Sequence, residues 1–98
     1  MEEQYLREKG LRLYTAGDFF EAHEVWEEIW KQKAGASAEF YKGLIQAAVA
    51  LAHSQNGNTK GALKLTKRAE SRLLQYSPTH LGINVQQILD DLTMIDAV

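Results

Sequence analysis

Five residues carry the chemistry this chain has to offer: His23, Glu24, Glu27, Gln46 and His53. His23 and Glu27 stand one helical turn apart, so on a helix their side chains share an edge. Gln46 and His53 are two turns apart on a segment that is otherwise apolar. Two histidines and a carboxylate form a donor set suited to iron, manganese or zinc. The same His and Glu pair could act as general acid and base. A zinc-protease motif is absent, because position 27 holds glutamate where His-Glu-x-x-His needs histidine. The simpler reading is a hydrogen-bonded packing network that keeps two helices in register. A buried polar group without a partner costs about 1–3 kcal/mol, and His23, Glu24 and Glu27 are the expected partners of Gln46 and His53. On either reading His23, Glu27 and His53 meet in space, with Gln46 at their edge; on the functional one a polar pocket lined by Trp26 or Trp30 adjoins them. No nucleophile stands out: the chain has no cysteine, and no serine sits in a recognisable motif.

Helices must position these residues. The stretch Asp18 to Trp30 places Phe19, Ala22, Trp26, Ile29 and Trp30 on one face. Asp18 and Glu21 have the spacing of a capping box. Before it, about Glu3 to Ala16 reads as a first helix, in which Gly10 is expected to admit a close-lying helix backbone. Gly17 ends that helix, and so short a break favours an antiparallel hairpin. A third helix, capped by Ser37 and running from about Ala38 to Asn56, leaves almost no polar face and is predicted to be the buried centre. Gly43, Ala47 and Ala50 would let neighbours approach it closely. Asn58 or Thr59 caps a fourth helix, from about Lys60 to Gln75. After Pro78 an irregular link leads to Asn84, which caps a fifth helix with the stripe Val85, Ile88, Leu89, Leu92 and Ile95. The segments 16–22 and 56–62 echo one another as helix end, glycine, cap and inward alanine. The expectation is therefore an all-α, single compact bundle of about five helices: two stacked helical hairpins plus a C-terminal helix, in one domain over residues 1–98.

Composition narrows the function classes. The net charge is −2, so no overall field draws the chain to nucleic acid or to a membrane surface. Lys60, Lys64, Lys67, Arg68 and Arg72 form a basic stripe on the fourth helix. It has no interleaved aromatics, so it reads as a solvated face. The absence of cysteine removes disulfides and thiolate sites from consideration. The charged first residues lack an apolar signal region, and no apolar run approaches the ~18 residues of a membrane span. A cytoplasmic protein is the expectation. Phe20 lies off the main stripe and is expected at the surface or at an interface.

Three stretches together carry a family resemblance: Phe20-Glu21-Ala22-His23-Glu24-Val25-Trp26-Glu27, then Tyr41-Lys42-Gly43-Leu44-Ile45-Gln46 running on to His53, then Gly57-Asn58, Gly61-Ala62 and Gly82-Ile83-Asn84-Val85. The chain resembles, over about residues 5 to 95, the small helical bacterial and archaeal proteins called domain of unknown function 309. Asn84 stands where the family pattern has aspartate, which keeps a cap and removes a charge. The resemblance implies an all-helical fold and brings no established activity. The functional expectation is thus a small binding or interaction module with a His/Glu polar cluster between its second and third helices. A small hydrolytic or metal-assisted enzyme using that cluster is the alternative. The partner would be a protein or a small molecule, with self-association open and no cofactor specified.

Overall fold

The computed structural model describes residues 2–96. Five helices follow in order: α1 (Glu2–Thr15), α2 (Phe19–Trp30), α3 (Gly35–Gln55), α4 (Thr59–Leu73) and α5 (Val85–Asp96). A 3₁₀ turn, Leu74–Tyr76, follows α4, and two short strands precede α5: β1 (Thr79–His80) and β2 (Ile83–Asn84). Helices α1 and α2 form one antiparallel hairpin and α3 and α4 a second. Helix α2 packs on α3, and α5 closes against α4 and α3. The expected all-helical bundle is what forms, with α3 at its centre: Phe40, Leu44, Ala47, Ala48 and Ala50 are almost wholly buried.

Both hairpins turn by one device. At the end of α1, Gly17 adopts φ +85°, its N–H bonds to Tyr14 O, and Asp18 N–H bonds to Leu13 O. At the end of α3, Gly57 adopts φ +78°, its N–H bonds to Ser54 O, and Asn58 N–H bonds to His53 O. This is the Schellman pattern, which needs a left-handed residue that glycine supplies without steric cost. The echo between segments 16–22 and 56–62 is this shared turn. The caps that follow differ. Asn58 Oδ1 accepts from Gly61 N at 3.0 Å, whereas the Asp18 side chain makes no cap hydrogen bond. The expected capping box at Asp18 therefore does not form. Ser37 likewise is no cap, because α3 begins earlier, at Gly35. The link after Pro78 is more ordered than expected: β1 and β2 pair antiparallel, Thr79 opposite Asn84 and His80 opposite Ile83. Asn84 caps α5 as expected, accepting from Gln87 N at 3.0 Å.

The close approach at Gly10 comes from a ring and not from a helix backbone. The Trp26 indole lies against it so tightly that an added Cβ would fall 2.2 Å from Nε1. The same nitrogen donates to Arg7 O at 3.3 Å, one turn back on α1. Farther toward the start of α1, a polar knot ties three elements. Tyr41 Oη on α3 donates to Glu3 Oε2 at 2.8 Å and accepts from Arg7 Nη1 at 3.2 Å. Lys33, just beyond α2, pairs with the other Glu3 oxygen. Burial, with the Glu3 carboxylate beside it, pushes the Tyr41 hydroxyl up to about 12. Hydrogen bonds from Lys33 and then Tyr41 hold the Glu3 carboxyl below its ordinary value.

Gly10→Ala tests the first contact. Alanine raises helix propensity by roughly 1 kcal/mol, but its methyl has no room beside the indole, and such overpacking costs about 1–3 kcal/mol. Chemical denaturation should show a net loss of stability; a gain would mean the indole is free to move. The knot predicts an acid response. A carboxyl held low in the folded state stabilises above its unfolded value of 4.5 and loses that contribution as pH falls through its folded value. The stability difference between the native chain and Glu3→Gln should therefore be largest near neutrality and shrink below that value. Its ceiling is about 1 kcal/mol, since the pair is partly solvated.

Candidate functional site

The polar residues singled out by sequence go to different partners. His23 is half-buried on α2; its Nδ1 contacts the carbonyl of Phe20 in its own helix, and its ring packs on Phe20 at 4.6 Å between centroids. His53, near the end of α3, has its Nδ1 3.4 Å from Asn58 Nδ2, within the turn to α4. Gln46 is buried, but its Oε1 accepts from Arg72 Nη1 of α4 at 3.2 Å in place of an α2 partner. Glu27 is half-buried, and Glu24 is exposed along a groove between α1 and α2, with Leu6, Lys9, Leu13, Glu21, Val25 and Glu28. Among the described residues, no hydrogen bond or ion pair joins these five to one another. Nor do any three His, Asp or Glu side chains gather as a metal-ligand group. The expected cluster of His23, Glu27 and His53 thus forms no hydrogen-bonded or metal-ligating group among the described residues, and the cause is local. Each histidine finds an acceptor or donor within five residues of itself, which competes with any partner across the helix seam.

The tryptophans divide. Trp26 is fully buried and so is core. Trp30 is half-buried, and the Lys42 ammonium sits 4.7 Å above its ring, an arrangement the negative face of the indole favours. Arg72 also departs from expectation. It leaves the solvated stripe of α4 and spans Gln46 and Glu39, with Nε 3.1 Å from Glu39 Oε1. Lys60, Lys64, Lys67 and Arg68 do face solvent. Phe20 is 59% exposed.

An apolar cleft lies apart from these residues. Where α1 ends and α2 begins, a cleft of about 400 Å³ opens, bounded by Tyr14, Thr15, Gly17 and Phe19, by Leu51 of α3, and by Gln87, Asp91 and Met94 of α5. Its interior is mainly apolar, with polar groups concentrated on one wall. There Tyr14 Oη donates to Asp91 Oδ2 at 2.7 Å, and Gln87 Nε2 donates to Asp91 Oδ1 at 3.0 Å. Burial, reinforced by Asp91, drives the Tyr14 hydroxyl far above the ordinary phenol value, so it remains a proton donor. Tyr14 also packs edge-on to Phe19, 5.0 Å between centroids. Another groove, between α4 and α5, holds exposed Leu74 beside Glu70 and Gln86; there Gln86 accepts from Ser77 Oγ at 2.8 Å and donates to Asp90 Oδ1 at 3.0 Å. Sequence reasoning missed the Tyr14–Asp91 pair. Gln87, Asp91 and Met94 do recur at helical spacing, one stripe over from the buried face of α5, and that spacing was the available signal.

Comparison with known proteins identifies a family and relatives. Residues 8–65 match the family described as Domain of unknown function (DUF309). Over 76 residues the chain is 34% identical to an uncharacterised protein of Aquifex aeolicus (strain VF5), covering 76% of this chain and 23% of that protein. Over 66 residues it is 38% identical to the uncharacterised protein YpuF of Bacillus subtilis (strain 168), covering 66% of this chain and 37% of that protein. The matched stretches thus span well under half the length of both relatives.

His23→Ala separates a local histidine from a cluster histidine. Because its nitrogen contacts only its own helix, the substitution should cost less than about 1 kcal/mol, in the range of ordinary surface changes. A loss of about 3 kcal/mol or more in urea denaturation would instead report a buried partner stranded across the seam.

Proposed function

We propose that this chain, which belongs to the Domain of unknown function (DUF309) family, is a small-molecule-binding module whose ligand sits in the cleft between α1, α2, α3 and α5. One observation carries the reading: the Tyr14–Asp91 hydrogen bond, 2.7 Å long, forms one wall of an otherwise apolar cavity. Ligand sites combine such volume and apolar lining with a few convergent polar groups that fix orientation. Here Phe19 and Leu51 supply apolar floor, Met94 an adaptable rim, and Asp91 the polar anchor. Tyr14 and Gln87 fix the position of the anchor, so a ligand meets a preset carboxylate and loses little affinity to reorganisation.

Of the polar residues His23, Glu24, Glu27, Gln46 and His53, three make side-chain hydrogen bonds among the described residues: His23 to the α2 backbone, His53 within the α3–α4 turn and Gln46 across the α3–α4 seam. Hydrolytic or metal-assisted chemistry there would need groups that share a reacting atom, and these three sets of contacts give none.

Methionine gives a direct test. The chain has two, Met1 and Met94, so methyl labelling yields a spectrum in which Met94→Leu assigns the cleft signal. Titration with a library of apolar fragments should shift the Met94 methyl saturably for some members, and Leu51→Trp should abolish those shifts by filling the floor. A Met94 signal that no fragment moves would overturn the proposal.

A further inference from the structure

Resting on the binding reading above, we infer that the ligand of the α1–α2–α3–α5 cleft is an organic cation: a protonated amine carried on an apolar or aromatic body. The charge of the wall leads to this class. Among the described residues that line the cleft, Asp91 is the one charged side chain, and none is Lys, Arg or His. A carboxylate or phosphate ligand would meet like charge there, whereas an ammonium meets its complement.

Hydrogen-bond accounting points the same way. A carboxylate has about four acceptor positions. Tyr14 Oη occupies one on Oδ2, and Gln87 Nε2 occupies one on Oδ1. Acceptor capacity therefore remains on both oxygens, while the Tyr14 hydroxyl proton is already committed. The wall offers acceptors in excess, so the ligand must bring donors, and a primary or secondary ammonium brings two or three. Burial and the adjacent Asp91 keep Tyr14 protonated, so it goes on donating to Asp91 and adds no second negative charge.

One further feature suits a cation with an apolar body. Tyr14 and Phe19 meet edge to face at 69°, and both border the cavity. Their rings provide surface for an apolar body and negative faces for a cation.

Calorimetric titration of the intact chain with three probes of one shape tests the assignment: 2-phenylethylamine, 2-phenylethanol and phenylacetate. The amine is expected to bind most tightly, roughly tenfold or more above the alcohol, as a charge-assisted hydrogen bond predicts, with phenylacetate weakest. Asp91→Asn keeps an acceptor for Tyr14 while removing the charge, and should weaken the amine more than the alcohol, closing the gap between them. The probe ranking is read on the unaltered chain, so it decides even if the variant does not fold. Alcohol binding equal to or tighter than amine binding overturns the cation assignment and leaves the cleft as a binding site. An amine affinity indifferent to Asp91→Asn overturns it as well. Failure of all three probes, and of the methionine-methyl screen, overturns both readings together.

Discussion

The Trp26 indole against the bare backbone of Gly10 is the contact on which the rest of the bundle depends. A fully buried indole needs a partner for its N–H and a surface that conforms to its plane. Helix α1 provides both at once: the Arg7 carbonyl accepts from Nε1 at 3.3 Å, and Gly10, one turn on, offers no Cβ where the ring must pass. These two demands fix the rotation of α1 about its axis and its position along α2. Tyr14 is then carried to the same side, tilted toward Trp26 at 6.0 Å, with its hydroxyl aimed at Asp91 of α5. One contact in the first hairpin thereby determines where the last helix finds its polar partner.

Helix α3 answers a second constraint, that of touching three neighbours. It packs on α2, α4 and α5, so apolar and small residues must run almost all round it. At Gly43 an added Cβ would lie 2.8 Å from Leu73 Cδ2 and 3.2 Å from Arg72 Cβ, which brings α4 close enough for Arg72 to reach back along the seam. Arg72 then satisfies Gln46 and pairs with Glu39. The polar stripe of α3 is consumed by the α3–α4 hairpin before α2 can compete for it. Thr66 of α4 is fully buried, and its hydroxyl has no hydrogen-bond partner among the described residues.

How much of this was legible in the sequence follows from the range of each determinant. Periodicity and glycines are local, so the five helices, the turns at Gly17 and Gly57, the Asn58 and Asn84 caps and the central place of α3 could all be read. The nature of the contact at Gly10 could not, because sequence spacing marks a close approach without saying whether backbone or ring arrives. The five polar residues were legible as individuals and misleading as a group. Four-residue spacing put His23 beside Glu27, but a backbone carbonyl at Phe20 was nearer to the imidazole than any side chain. Tyr14 and Asp91 are 77 positions apart, and no local pattern joins them; only the assembled positions of α1 and α5 do.

The geometry of α5 explains how a cleft can exist in so small a bundle without weakening it. Val85, Ile88, Leu89, Leu92 and Ile95 form its buried stripe, and Gln87, Asp91 and Met94 lie beside that stripe, over the cleft. The first set supplies the apolar burial that holds the helix in place. In the second set Gln87 and Met94 are exposed and Asp91 is half-buried, so they contribute less to that burial. The matched family span, residues 8–65, includes Tyr14 and the floor residues Phe19 and Leu51 and stops before Gln87, Asp91 and Met94. Floor and wall thus rest on different physical grounds. The floor is tied to the Trp26–Gly10 contact through Tyr14, and changes there disturb the core. Asp91 and Gln87 ride on a helix anchored by a different stripe, and the Tyr14–Asp91 hydrogen bond is what joins the two.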